Sequence, residues 1–202
     1  MIAWDVWLLF LGFAVPMVFS PGPGNTLLAT AGARFGVGGT VPFWTGFEAA
    51  NVALCFLYGL GLGRALLGHP EFEFALRWGG IVYLVYLGWS FIRSSVPAAE
   101  PEAANPARLS FADGFLAVVL NSKIHSTIAV MFSQFLDPAG STTAQVGQFT
   151  LAFLLVGIAC HFPWIYGGKV ILGRFRSPGA LRVQGIVFGA CMLVVAAYLA
   201  LS

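Results

Sequence analysis

The chain has 202 residues and a net charge of +2, and 58% of its residues are hydrophobic while only 9% are charged. Ordinary soluble domains carry roughly 25% charged residues, so this composition indicates a protein that is embedded in membrane lipid. The small net charge and the lack of a basic run argue against a nucleic-acid partner.

The first predicted membrane span, residues 4–33, is interrupted by the sequence SPGPGN at residues 20–25. A cleaved signal peptide begins with basic residues, but no basic residue precedes Arg34. We therefore expect this span to be retained. Pro23 has no backbone N–H, and its ring clashes with the preceding turn, so the helix should break here. Irregular backbone at membrane depth survives only where it is buried in protein or lines a wet cavity.

This break predicts a binding site for a zwitterion. The free N–H groups at the start of the second half-helix form the positive end of the helix dipole and attract a carboxylate. The freed carbonyl groups at the end of the first half-helix can receive an ammonium group. The predicted substrate-binding residues of this break are Pro21, Gly22, Pro23, Gly24 and Asn25.

The second and third predicted spans are residues 40–62 and 74–92. Glu48 is the only acid near the middle of any span, and Asn51 follows three residues later on the same helix face. We interpret Glu48 and Asn51 as candidate proton-coupling residues. The alternative is that Glu48 only neutralises Lys123.

The fourth predicted span, residues 111–136, is interrupted in turn by Asn121, Ser122 and Lys123. A lysine in a span costs about 3 kcal/mol on insertion scales, so Lys123 should face the protein interior and have a partner there. Two roles stay open: binding a substrate carboxylate or exchanging a proton, or tying the broken helix to backbone carbonyls or to Glu48. We add Asn121 and Lys123 to the predicted substrate-binding residues.

The fifth and sixth predicted spans, residues 147–168 and 183–201, contain no charged residue. We interpret His125 and His161 as packing residues. The three cysteines lie singly in apolar spans without a C-x-x-C motif, which predicts small core residues and no metal or other cofactor; they are Cys55, Cys160 and Cys191. Two glycine pairs have the spacing of closely packed helices, Gly59/Gly63 and Gly185/Gly189.

The sequence therefore predicts an all-α integral membrane protein with six transmembrane helices. A Pro-, Ala- and Glu-rich segment at residues 96–107 divides the spans into two sets of three. Because three is odd, two copies of one unit would have opposite orientations, with broken first and fourth helices and a site at their interface. The predicted units are residues 1–95 and 111–202, joined by a cytoplasmic linker at residues 96–110.

Several segments together resemble the LysE/RhtB family of amino-acid exporters. They are the PGP break before Asn25, ARFGVGG at residues 33–39, RWGGIVYLVYLGW at residues 77–89, and FADGFLAVVLNSKIHSTIAVMFSQFLDP at residues 111–138. The resemblance covers nearly the whole chain. It implies a six-span protein of the bacterial inner membrane that expels amino acids in exchange for protons, built as an inverted repeat.

The chain departs from the family pattern at three places. The family usually has Asn-Pro-Lys where this chain has Asn121, Ser122 and Lys123, which predicts a softer break. An extra residue, Gly24, precedes Asn25. A common Gly-Asp pair of the second span is Ala50 and Asn51 here, so Glu48 becomes the substitute acid.

The function that follows is a secondary transporter, not an enzyme, whose partner is an amino acid. A basic side chain would call for a second acid, so neutral, small or branched amino acids are favoured. The alternatives are a transporter for a cation or another small solute, an intramembrane enzyme, and a scaffold subunit. Whether the chain forms a homo-oligomer is left open.

The distribution of basic residues predicts the orientation, because cytoplasmic loops are enriched in Lys and Arg. Seven basic residues lie on one predicted side of the membrane and two on the other. Both termini should therefore be outside the cytoplasm. A periplasm-active reporter fused after Ser202 should be active, and the same reporter inserted within residues 96–107 should be inactive. The reverse pattern would contradict both the orientation and the six-span count.

Overall fold

The computed structural model describes residues 2–61, 69–93, 109–137, 140–171 and 178–201. These residues form helices and no strands. The helices are α1 (Trp4–Phe19), α2 (Pro23–Gly59), α3 (Pro70–Arg93), α4 (Phe111–Val119), α5 (Ser122–Phe135), α6 (Thr142–Ile171) and α7 (Pro178–Leu201). The predicted linker at residues 96–107 lies outside the described residues, as do Gly63 and four of the basic residues that predict the orientation: Arg64, Arg108, Arg174 and Arg176.

Both predicted interruptions are present as bent helix pairs. The axis turns by 58° between α1 and α2 and by 65° between α4 and α5. The expectation of a break softer than that of the family pattern stays a prediction, and the second bend is no smaller than the first. Within the described residues, α6 alone is long and apolar enough to cross a membrane, and the number rises to three if each bent pair is one span. The fold is all-α, whereas six spans and the inverted repeat stay predictions.

Helix α2 contains the second half of the first predicted span and most of the second predicted span. These two parts meet at a turn that is centred on one residue. Gly36 has φ 68° and ψ −179°, a conformation that is essentially restricted to glycine. The hydroxyl of the buried Thr40 donates to the carbonyl oxygen of Gly36 at 2.7 Å, so a buried backbone acceptor at the bend is satisfied. The chain thus changes direction without a longer loop.

Glycines allow three pairs of helices to touch through their backbones. A Cβ atom added to either glycine of a pair would collide with the backbone of the other helix. The pairs are Gly46 and Gly114 between α2 and α4, Gly32 and Gly168 between α2 and α6, and Gly88 and Gly189 between α3 and α7. We call these the reciprocal glycine pairs. Such small residues let helices approach closely where lipid provides no hydrophobic driving force between them.

The predicted packing roles can be compared with this arrangement. Gly59 packs against Val146 and Phe132, and Gly189 belongs to a reciprocal glycine pair, so close packing is confirmed at both. Cys55 and Cys160 are buried as predicted. The prediction for Cys191 is wrong, since this residue is exposed. The buried face of α7 contains Gly189 together with Met192 and Ala196, and Cys191 projects from a different face.

The reciprocal glycine pairs give a test of the packing. Gly46→Ala and Gly114→Ala should each lower the free energy of unfolding by about 1–3 kcal/mol, because the added methyl group has to displace backbone. The matched control is Gly147→Ala in α6, where an added Cβ meets nothing within 4 Å. It should leave stability unchanged or raise it by about 0.5–1 kcal/mol, since alanine favours the helix. Thermal unfolding in detergent measures all three, and equal effects would contradict the described contacts.

Candidate functional site

The two broken helices meet at their breaks. The Nζ atom of Lys123, in the first turn of α5, donates to the hydroxyl of Ser20 at 2.6 Å and lies 3.4 Å from the carbonyl oxygen of Ser20. A Cβ atom built on Gly22 would lie 3.5 Å from the same Nζ, and one on Gly24 would lie 3.7 Å from Nδ2 of Asn121. The structure thus brings residues of SPGPGN together with Asn121 and Lys123.

Protein donors already occupy the carbonyl groups at the end of α1. The backbone N–H of Ser20 donates to Pro16 and its hydroxyl donates to Met17, both at 2.9 Å. The amide of Asn25 donates to the carbonyls of Val18 at 2.7 Å and Ser20 at 2.9 Å, and the indole N–H of Trp164 donates to Phe19 at 3.1 Å. Every carbonyl oxygen from Pro16 to Ser20 therefore accepts a hydrogen bond.

The start of α2 differs from the end of α1, because its first backbone N–H groups have no acceptor within the helix. Pro23 begins the helix and has no N–H, and the first backbone N–H that reaches a helical acceptor is that of Thr26, which donates to Gly22 at 2.9 Å. By helix geometry the N–H groups of Gly24 and Asn25 have no intrahelical acceptor. At the other break, Asn121 caps α5 by accepting from the backbone N–H of Lys123 at 3.1 Å.

A small cavity of about 20 Å³ lies between the two breaks. Its volume is close to that of one water molecule, so in the described conformation the cavity is closed to a molecule as large as an amino acid. Neither Pro21 nor Glu48 is among the described lining residues. Those that the breaks contribute are Ser20, Gly22, Pro23, Gly24, Asn25, Asn121 and Lys123, and those from α2 and α6 include Phe47, Asn51, Phe153 and His161.

Glu48 is buried beside this cavity and is held by three donors. Its Oε1 atom accepts from the indole N–H of Trp44 at 2.9 Å and is 2.5 Å from Nδ1 of His161. Its Oε2 atom accepts from Nδ2 of Asn51 at 3.3 Å. A contact of 2.5 Å between an imidazole nitrogen and a carboxylate oxygen is a charge-assisted hydrogen bond. His161 therefore stands between Glu48 and the cavity.

This geometry separates the two roles that the sequence left open for Lys123. In the part of the chain that the structure describes, Glu48 contacts His161, and the polar partner of Lys123 is Ser20. The alternative in which Glu48 and Lys123 neutralise each other does not fit these contacts. Lys123 does tie the second break to the first.

The two histidines differ in what they contact. His125 is buried, its Nε2 is 2.7 Å from the carbonyl oxygen of Val119, and its Nδ1 is 2.8 Å from the hydroxyl of Tyr58. It holds α4, α5 and α2 together across the break, which agrees with a packing role. His161 is also buried, but it lines the cavity, and the sequence analysis missed this. The available signal was a titratable side chain in a span without charges.

Comparison with known proteins identifies the family. The model of the LysE type translocator family matches residues 15–202, and the chain belongs to that family. The resemblance inferred from the motifs is therefore confirmed, and the protein is a membrane translocator. No solved structure shows a significant match to the chain.

Three relatives have similar lengths and modest identities. The chain is 28% identical over 200 residues to an uncharacterized membrane protein of Vibrio cholerae serotype O1, with 93% of each chain covered. It is 25% identical to a homoserine/homoserine lactone efflux protein of Salmonella typhimurium, covering 96% of this chain and 95% of the relative. It is 26% identical to the arginine exporter protein ArgO of Salmonella paratyphi A, covering 95% and 92%.

The asparagines of the two breaks give a matched test of the site geometry. Asn25 donates to two carbonyl groups, and an aspartate cannot donate, so Asn25→Asp should cost about 2–4 kcal/mol of unfolding free energy. Asn121 instead accepts as a helix cap, and aspartate caps equally well, so Asn121→Asp should change stability by less than about 0.5 kcal/mol. Thermal unfolding of both variants in detergent measures the difference, and an equal loss in both would contradict these hydrogen-bond roles.

Proposed function

We propose that the protein exports neutral, small or branched amino acids across the bacterial inner membrane in exchange for protons, without chemically changing them. The observation that carries this proposal is the cavity in which Lys123 and the start of α2 lie together, with the Glu48 and His161 pair directly behind it. Membership of the LysE type translocator family and the similarity to homoserine and arginine exporters support it.

The carboxylate of the amino acid binds at Lys123. The described hydrogen-bonding partner of this ammonium group is Ser20, a neutral residue, so an arriving anion does not have to displace a carboxylate. The N–H groups at the start of α2 add the positive end of a helix dipole at the same cavity. Together they favour a carboxylate where lipid would otherwise make any charge costly.

The charges at the cavity favour a neutral side chain. Lys123 is the one residue with a permanent charge among the described lining residues, and no carboxylate is among them. Glu48 already accepts from three donors, so it is not free to bind the cationic side chain of a substrate. A lysine or arginine side chain would therefore have no acidic partner at this site. The arginine exporter among the relatives indicates that family membership alone does not decide the side chain.

The exchanged proton binds at the Glu48 and His161 pair. A neutral His161 would donate its Nδ1–H to the Glu48 carboxylate, and uptake of one proton would convert the pair to a carboxylate and an imidazolium. Because His161 also lines the cavity, such a change of charge would directly alter the electrostatic potential at a bound substrate. Proton uptake and substrate release can thereby be coupled at adjacent atoms.

Transport requires the closed cavity to open alternately to the two sides of the membrane. We propose that residues 1–95 and 111–202 act as inverted repeats that move relative to each other, with both termini outside the cytoplasm. The two breaks would lie at the interface between the repeats, as in other transporters with discontinuous helices. In this arrangement the tie between Lys123 and Ser20 crosses the moving interface.

Single and double substitutions test the proposed roles. Lys123→Met keeps the length and apolar stem but removes the charge, so efflux should fall at least tenfold with membrane abundance unchanged. Glu48→Gln keeps the shape but cannot carry a proton, so efflux should lose its dependence on the pH gradient. The double variant should be inactive, because the two side chains do not pair with each other. Lys169→Met, at an exposed position of α6, is the matched control and should transport normally.

The measurement is efflux from cells loaded with a panel of labelled amino acids, with membrane abundance determined in parallel. An active Lys123→Met variant would overturn the carboxylate site. Restored activity in the double variant would show that Lys123 and Glu48 only neutralise each other. Equal export of lysine and leucine by the unmodified protein would overturn the proposed preference for neutral side chains.

A further inference from the structure

Asn51 has a buried acceptor that the protein does not use. Its side chain is 98% buried, with 2% relative exposure, and its Nδ2 atom donates to Glu48. Its Oδ1 atom has no hydrogen-bond partner among the described residues. Asn51 also lines the cavity between the breaks, whereas Glu48 is not among the lining residues. The oxygen of this amide is thus the atom of a cavity-lining side chain that has no partner among the described residues.

An unsatisfied buried carbonyl oxygen is uncommon and needs a physical reason. Leaving such an acceptor unpaired is unfavourable, and most buried polar side-chain atoms in proteins have a partner. The cost is recovered when a ligand brings a donor. An orphaned oxygen at a cavity therefore indicates a ligand that carries an N–H or O–H group at that point.

The orientation of the amide is fixed by its neighbour. An ionised carboxylate only accepts hydrogen bonds, so the nitrogen of Asn51 faces Oε2 of Glu48. Turning the amide over would place two oxygens against each other. Trp44 and His161 hold the other oxygen of Glu48, so the carboxylate has little freedom to turn away. Oδ1 of Asn51 is consequently kept free for the cavity.

The acceptors at the end of α1 differ from this oxygen, because each of them already has a donor within the protein. The carbonyls there, from Pro16 to Ser20, already accept from Ser20, Asn25, Trp164 and Lys123. We infer that Oδ1 of Asn51 accepts a hydrogen bond from the α-ammonium group of the substrate and makes the site specific for amino acids over acids that lack this group. This inference rests on the proposed function, because it places the second charge of the exported zwitterion opposite Lys123.

The test compares amino acids with their deaminated counterparts. The probes are leucine against 4-methylpentanoate and homoserine against 4-hydroxybutyrate, and calorimetric titration measures their binding to the purified full chain in detergent. The unmodified protein should bind at least one of the amino acids about 10- to 100-fold more tightly than its counterpart, the range expected for a hydrogen bond to a charged group. In Asn51→Leu this preference should disappear, while affinity for the deaminated acid stays within about twofold.

Two further variants complete the test. Thr30→Val removes a buried hydroxyl of α2 that bonds only to Thr26 and is not among the lining residues, and it should change nothing. If Asn51→Leu does not fold, Asn51→Ser gives the same comparison, because its shorter side chain withdraws the acceptor.

The outcomes distinguish a failure of the role of Asn51 from a failure of amino-acid export itself. Equal losses for an amino acid and its deaminated counterpart, or a preference that survives Asn51→Leu and Asn51→Ser, would overturn the role of Asn51 and leave amino-acid export standing. Failure of the unmodified protein to bind either amino acid, while Lys123→Met has no effect on efflux, would overturn the proposed function itself.

Discussion

The contact between Lys123 and Ser20 is the interaction on which the arrangement of the centre depends. It joins the first turn of α5 to the end of α1 and so holds the two breaks against each other. A cation at membrane depth is costly unless protein groups surround it, and here the surrounding groups are the freed backbone of one break and the serine within it. The lysine and the two breaks therefore meet at one place, and the cavity lies between them.

Close helix packing positions the second set of charged groups behind that cavity. The reciprocal glycine pair Gly32 and Gly168 brings α6 against α2, which sets His161 opposite Glu48. Gly157 is needed at the same contact, since a Cβ atom there would lie 2.8 Å from Oε2 of Glu48. The buried carboxylate thus fits because the facing helix has no side chain at this position. A packing feature of the backbone in this way determines where this carboxylate can lie.

Much of the candidate site could be predicted from the sequence, because polar and helix-breaking residues stand out in apolar spans. SPGPGN, Lys123 and the pair Glu48 and Asn51 were all recognised on this basis. What could not be predicted is which helices face each other. The pairing of Glu48 with His161, the capping of α1 by Asn25 and the exposure of Cys191 depend on how the helices are rotated, and an almost uniformly apolar helix gives no amphipathic pattern from which that rotation could be inferred. The turn at Gly36 was missed since only one of several neighbouring glycines adopts it.

The adjacency of His161 and Glu48 also has an electrical consequence. With Lys123 and Glu48 ionised and His161 neutral, the centre has no net charge, and a zwitterionic amino acid does not alter this balance. Uptake of one proton by the pair leaves the centre with a single positive charge. A membrane potential of 100 mV changes the free energy of moving one elementary charge across the membrane by about 2.3 kcal/mol. For the proton exchange proposed above, a negative interior would pull the proton-loaded centre inward and leave the centre without the extra proton unaffected, so the proposed exchange would respond to voltage as well as to the pH difference.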